Sequence, residues 1–301
     1  MKRGGIFIVV IGLVILGAFL EPTRTLPGLL RGEPFFESRA ASYWLAQIQS
    51  SDPAIRDAAY QKLLEADQSS IPLLRHLLAQ AAEAETRWTA AELLGKKKGQ
   101  ARDAAPELLR ALDDSDGHVR AVAATAIPEV ETPASDAVPA LLKHVRSDAA
   151  VPVIRALSRY GADAKPSLPE MVSILEDQSL EIETRWNAAR TIGKMREAGD
   201  DAIPVLVSML NHEDSRIREH SAEALGDIGP PSRPAIDALI AVLGDKDTKV
   251  RRDAVRSIGQ IGADASVIPE VEKLVKDPEA IVREAATKTL EQLRKQAEAK
   301  P

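Results

Sequence analysis

An arginine returns about every 33 residues along this chain: Arg56, Arg87, Arg120, Arg185, Arg218, Arg251 and Arg283, with Pro152 standing where an eighth is due. The residue before each of these register positions is β-branched: Ile55, Thr86, Val119, Val151, Thr184, Ile217, Val250 and Val282. Three residues after the register come Ala59, Ala90, Ala123, Ala188, Ser221, Ala254 and Ala286; seven after come Leu63, Leu94, Ile127, Ile192, Leu225, Ile258 and Leu290. Offsets of −1, +3 and +7 make one face of an α-helix. The fourth copy breaks the pattern by placing Arg155 and Arg159 at these offsets, and it reads as two residues short. A short amphipathic helix repeated at a fixed period cannot bury its face alone, so neighbouring copies must stack.

The rest of the period agrees. An acid precedes each register position by four residues: Asp52, Glu83, Asp116, Asp148, Glu181, Asp214, Asp247 and Glu279. There it sits at a helix N-terminus, where carboxylates accept orphan amide hydrogens and oppose the positive end of the helix dipole. Asp52-Pro53 is a cap followed by proline at the first helical position. A second helix per period is marked by Pro72, Pro106, Pro139, Pro169, Pro204 and Pro269, each followed by apolar residues at helical spacing, as in "IPLLRHLL". Proline is tolerated in a first helical turn and not in a helix interior. The expected architecture is all-α: about eight helix pairs stacked into a right-handed solenoid over residues 38–293, with a polar tail at 294–301.

Composition fits close helix packing through small side chains. Aromatics are only 3% of the 301 residues while the hydrophobic fraction is 45%, and Ala and Leu are strong helix formers. The formal charge of −6, with no basic tract beyond Lys96-Lys97-Lys98, argues against a nucleic-acid partner. The absence of cysteine removes disulfides, thiolate metal sites and cysteine nucleophiles.

The N-terminus carries a separate signal. Lys2 and Arg3 precede an uncharged run from Gly4 to Leu20, 17 residues long. As a helix it would span about 25 Å, slightly less than the ~30 Å hydrocarbon core. A cleavage site after Ala18 would put Leu16 at −3, where a small residue is needed. Residues 1–20 therefore read as an uncleaved signal anchor in preference to a cleaved signal peptide. The basic flank predicts a cytoplasmic N-terminus with the solenoid on the extracytoplasmic side of a single-pass protein; cleavage would instead leave it secreted or periplasmic. Residues 21–37, rich in Pro and Gly, read as a juxtamembrane linker whose Leu and Phe side chains cover the open end of the first helix pair.

The phrases "DTKVRRDAVRSIGQIG" (residues 247–262), "DSRIREHSAEALGDIG" (residues 214–229) and "DPAIRDAAYQKL" resemble the HEAT repeat, and the short period resembles its phycobilisome-lyase-type subclass. The resemblance implies a superhelix whose concave side is lined by the second helix of each pair. Two enzyme activities are associated with such repeats. Deoxyhypusine hydroxylase resembles this chain in fold and binds iron through several His-Glu dipeptides, but here His212-Glu213 is the single such pair. Phycobilin attachment is the other, and nothing in the sequence marks a bilin pocket. The five histidines show no metal-ligand spacing, and no phosphate loop or nucleophile motif occurs. The sequence therefore points to a scaffold that is not an enzyme and needs no cofactor, metal or small-molecule substrate.

One helix position departs from scaffold logic. The residue after the register lies well round the helix from the buried face: Asp57, Trp88, Ala121, Val153, Trp186, Glu219, Arg252 and Glu284. The ends of this row are charged and its middle four are apolar. Tryptophan is enriched at binding hot spots, so Trp88, Ala121, Val153 and Trp186 are the expected partner-binding stripe for a protein or peptide.

Overall fold

The computed structural model describes residues 24–299, so the signal-anchor reading of residues 1–20 lies outside the described residues. Among those described, no helix is long and apolar enough to cross a membrane. The chain divides into two compact units between Pro133 and Ala134.

The first unit opens with α1 (Thr25–Leu30) and a small antiparallel hairpin, β1 (Phe35–Phe36) with β2 (Arg39–Ala40). Three helix pairs follow: α2 (Ala41–Ile48) with α3 (Pro53–Glu65), α4 (Ile71–Gln80) with α5 (Ala84–Lys96), and α6 (Ala105–Arg110) with α7 (Gly117–Glu129). The segment expected as a linker is thus folded from Thr25 onward. Phe36 is buried against the Trp44 ring, and the Trp44 indole N–H donates to the Phe36 carbonyl at 3.0 Å.

The second unit holds five pairs: α8 (Ala134–Leu142) with α9 (Ala150–Ser158), α10 (Leu168–Glu176) with α11 (Ile182–Lys194), α12 (Ile203–Met209) with α13 (Ser215–Ile228), α14 (Ile236–Ala241) with α15 (Thr248–Ile261), and α16 (Ile268–Lys273) with α17 (Ala280–Ala299). Several first helices are shorter than their apolar stretches because the stretch ends in a 3₁₀ turn, as at Val242–Gly244 and Leu274–Lys276. Proline sits in the first turn of α4, α6, α10, α12 and α16, while Pro139 lies inside α8.

Within each unit, second helices pack on their own first helices and on the next second helix of that unit. The face at −1, +3 and +7 is the core: Val119, Ala123 and Ile127 in α7, and Val250, Ala254 and Ile258 in α15, are fully buried. Ile55, in the first turn of α3, is the exception at 39% exposed.

The fourth pair corrects the sequence register. Side-chain hydroxyls six residues after the register donate to the preceding second helix at its +4 carbonyl, as in Ser257 to Ala222 (2.7 Å) and Thr289 to Val255 (3.0 Å). Thr191 makes the same bond to Ile154 (3.2 Å), so the register position of the fourth pair is Ala150, not Pro152. Ala149, Val153 and Leu157 then occupy the core offsets, and all three are buried.

The acids also divide differently than expected. Asp52, Asp116, Asp214 and Asp247 cap their helices through backbone amides, for example Asp116 accepting from His118 (2.9 Å) and Val119 (3.1 Å). Glu83 and Glu181 stand at the same N-cap place and make no such bond. Three of the register arginines pair instead with an aspartate six residues before the next register: Arg87 with Asp114 (2.7 and 2.7 Å), Arg218 with Asp245 (2.7 and 2.9 Å), Arg251 with Asp277 (2.8 and 2.9 Å). Each arginine also reaches back to a carbonyl of its own repeat, as Arg218 does to His212 (2.7 Å). These forks tie one repeat to the next.

The forks give the fold an acid-side dependence on pH. The guanidinium of Arg87 holds Asp114 below the usual carboxylate range, and that of Arg251 does the same for Asp277. At Asp245 burial pushes upward but is outweighed by Arg218 and the Asp247 amide. A depressed folded-state pKa contributes stability that is complete above the unfolded value near 3.9 and is lost as pH falls through the folded value. Melting temperature should therefore be steady from pH 7 to about 5 and fall below about 4. A main loss already between pH 7 and 5 would show that other groups dominate.

Candidate functional site

The expected stripe divides between the units, with Trp88 and Ala121 in the first and Val153 and Trp186 in the second. Trp88, Ala121 and Trp186 are half-buried, whereas Val153 is fully buried. Val153 is in the core because the fourth register lies two residues earlier; the residue following that register is Val151, which is half-buried. Val153 therefore leaves the candidate set.

Each tryptophan leans on a histidine of the next second helix. Trp88 on α5 meets His118 of α7 edge-on, with ring centroids 5.1 Å apart. Trp186 on α11 stacks on His220 of α13 at 4.6 Å with 28° between planes. Arg155 of α9 lies over the Trp186 ring, its guanidinium carbon 5.7 Å from the ring centroid. Neither the Trp88 nor the Trp186 indole N–H donates to another described residue, unlike that of Trp44. A buried indole usually finds an acceptor, so both rings keep a polar edge open beside an apolar body.

Around Trp186 the second helices present a network of alternating charge. Arg155 donates to Asn187 Oδ1 (3.1 Å) and to Glu183 Oε1 (2.9 Å). His220 Nδ1 lies 3.0 Å from Glu223, and this hydrogen bond, against the opposing effect of burial, holds the Glu223 carboxyl low. Burial pushes the Glu219 carboxyl up, with Arg252 nearby at 3.5 Å. In the first unit, Lys96 lies two turns beyond Trp88 on α5, paired with Glu92 (2.8 Å) and over the Tyr60 ring. The arrangement suits recognition of a chain with aromatic, apolar and charged groups.

Sequence reasoning missed His118, His220 and Arg155 as the tryptophans' neighbours. Arg155 would have been found with the correct fourth register, which puts it five residues on, level with Arg190, Glu223 and Arg256. His212 and Glu213 lie in the turn between α12 and α13, with His212 Nδ1 accepting from the Asp214 amide at 3.0 Å. Among the described residues no group of three or more His, Asp or Glu is placed to hold a metal ion.

No curated protein matches this sequence significantly. Among solved structures, an engineered protein aligns over 84% of this chain and 78% of its own at 20% identity, with a TM-score of 0.55. Human deoxyhypusine hydroxylase in complex with glycerol aligns over 85% of this chain and 96% of its own at 17% identity, with a TM-score of 0.36. The first likeness concerns the fold alone; the second is too distant to carry an argument about either fold or activity. HEAT repeats are matched over residues 71–162, 168–246 and 236–301. With most of the chain covered and helix pairs of this kind in both units, the protein belongs to the HEAT repeat family, whose α-solenoid fold suggests a protein-interaction scaffold.

Proposed function

We propose that this chain is a non-enzymatic scaffold, tethered to the cytoplasmic membrane by residues 1–20, that binds a protein or peptide on its second-helix face. In the first unit Trp88 is the anchor with Ala121 as a flanking contact, and in the second unit Trp186 is the anchor. The observation that carries this reading is the state of the two indoles: half-buried, each backed by a histidine, and each with its N–H unbonded among the described residues. A ring already held on one side loses little conformational freedom on binding, and that makes aromatic anchors effective. The period of about 33 supports placing the repeats in the short-period subclass. The basic flank at Lys2-Arg3 supports an extracytoplasmic solenoid.

The test uses the full chain in cells, with a photo-crosslinking residue at Ala121 or Arg155 so that both tryptophans stay in place. A discrete adduct should form and should vanish in the Trp88→Ala, Trp186→Ala double variant. Hot-spot loss of about 2 kcal/mol or more per site corresponds to roughly 30-fold in affinity. The same variant should keep its helical circular dichroism and lose only about 1–2 kcal/mol of stability per ring, since the rings are half-buried. Collapse of cooperative unfolding would assign the rings to the core and end this reading.

A further inference from the structure

The arginine ladder has a gap in the second unit. Arg218 and Arg251 each hold an aspartate six residues before the next register, but the residue in that place for Arg185 is His212. Arg185 is only 3% exposed. Its Nε donates to the Leu175 carbonyl at 3.0 Å. Its two terminal nitrogens donate to no described residue. The aspartate of the preceding turn offers no help, because Asp177 is taken by Arg146 at 2.8 Å and by Ser179.

The two terminal nitrogens keep solvent contact through a cavity at this place, and the pair of donors they present matches a carboxylate in two-point geometry. Arg185 lines a cavity of about 600 Å³ between the α10–α11 and α12–α13 turns, together with Gln178, Ser179, Glu181, His212 and Glu213. The cavity also meets the start of α11, whose N-cap residue Glu181 supplies no side-chain bond to the first-turn amides. Those amides add donors and a positive dipole end at the same place.

We propose that this cavity is a carboxylate-binding site, in which an external carboxylate accepts from the two terminal nitrogens of Arg185, its Nε being held by the Leu175 carbonyl. It lies on the turn edge of the repeats, away from the tryptophan face, and does not depend on the function proposed for that face. The rim carboxylates Glu181 and Glu213 repel any anion, a multiply charged one such as phosphate more strongly than a singly charged carboxylate, and the Arg185 fork supplies the attraction. The source is either a free carboxylate or an acidic side chain of a peptide.

The experiment follows the Arg185 Nε–Hε resonance in the full chain during titration with acetate, and with a blocked tripeptide carrying Asp or, as control, Asn. A saturable shift at Arg185 with acetate and the Asp peptide, and none with the Asn peptide, is expected. Tighter binding of the Asp peptide than of acetate identifies a peptide ligand, and equal binding identifies a free carboxylate. His212→Asp should close the ladder, raise the melting temperature and weaken acetate binding at least about tenfold. Arg185→Gln should abolish the binding, and His212→Asp keeps the test open if that variant fails to fold. Non-saturable shifts, or undiminished acetate binding in His212→Asp, would overturn the proposal.

Discussion

Asp245→Ala is expected to lower the unfolding free energy by about 3 kcal/mol, among the largest effects of any single polar substitution in the chain. The carboxylate has two tasks. It takes both ends of the Arg218 fork, and its Oδ1 accepts the Asp247 amide at 2.8 Å. The Arg218 and Asp245 side chains are 7% and 10% exposed. Alanine would strand the guanidinium inside the interface between repeats and orphan the turn amide. Asp245→Asn, which keeps an acceptor for the amide but not the charge, should lose less. Replacing both partners with apolar side chains, Arg218→Met with Asp245→Leu, should recover much of the loss, because the pair's attraction is largely offset by its desolvation. Denaturant titration followed by circular dichroism measures all three. Equal losses in the single and double variants would mean that the site cannot repack around apolar groups. The exposed pair Lys288–Glu284 (71% and 67%) is the control, and Glu284→Ala should change nothing measurable.

The helix-pair architecture was legible because burial acts at every repeat: the −1, +3 and +7 offsets recur wherever one second helix lies on another. The role of the acids was not legible. Several turns carry two acids in near succession, Asp114 with Asp116, Asp245 with Asp247 and Asp277 with Glu279. Spacing alone cannot say which one caps and which one crosses to the preceding arginine. The structure separates them: the earlier acid crosses and the later aspartate caps. The fourth register failed for a related reason. A shortened repeat admits two alignments, and Pro152 filled the arginine's place in one of them. The Thr191–Ile154 bond between helices fixes the other, in agreement with the burial of Ala149, Val153 and Leu157. The tryptophans were legible as oddities, but what backs them depends on a neighbouring helix that local pattern does not describe. The same limit hid the ladder gap: His212 reads as one half of a dipeptide until the place it fills is known.

Gly193→Val is expected to destabilise the second unit by about 3 kcal/mol, although glycine is a poor helix residue and its replacement ordinarily helps. The reason is the distance between α11 and α13. A β-carbon at Gly193 would lie 2.8 Å from the Ala224 Cα and 3.1 Å from its Cβ. The first contact is with backbone, so no change of rotamer relieves it and the helices must separate. Gly193→Ala should still lose about 1–2 kcal/mol, because the clash outweighs a propensity gain of about 1 kcal/mol. Gly244→Ala, at a position where an added β-carbon meets nothing within 4 Å, is the control and should be neutral or slightly stabilising. Gly95, Gly226 and Gly259 occupy the same place in their own second helices, and at each an added β-carbon would press on the next one. Glycine at this place sets the spacing between second helices, and Trp186 reaches His220 across the same α11–α13 contact that Gly193 keeps close. The Val variant should therefore disturb the Trp186–His220 stack as well as stability, read as a shift of indole fluorescence in a Trp44→Phe, Trp88→Phe background. Destabilisation with an unshifted indole would mean that the helices separate at Gly193 while the tryptophan end stays closed.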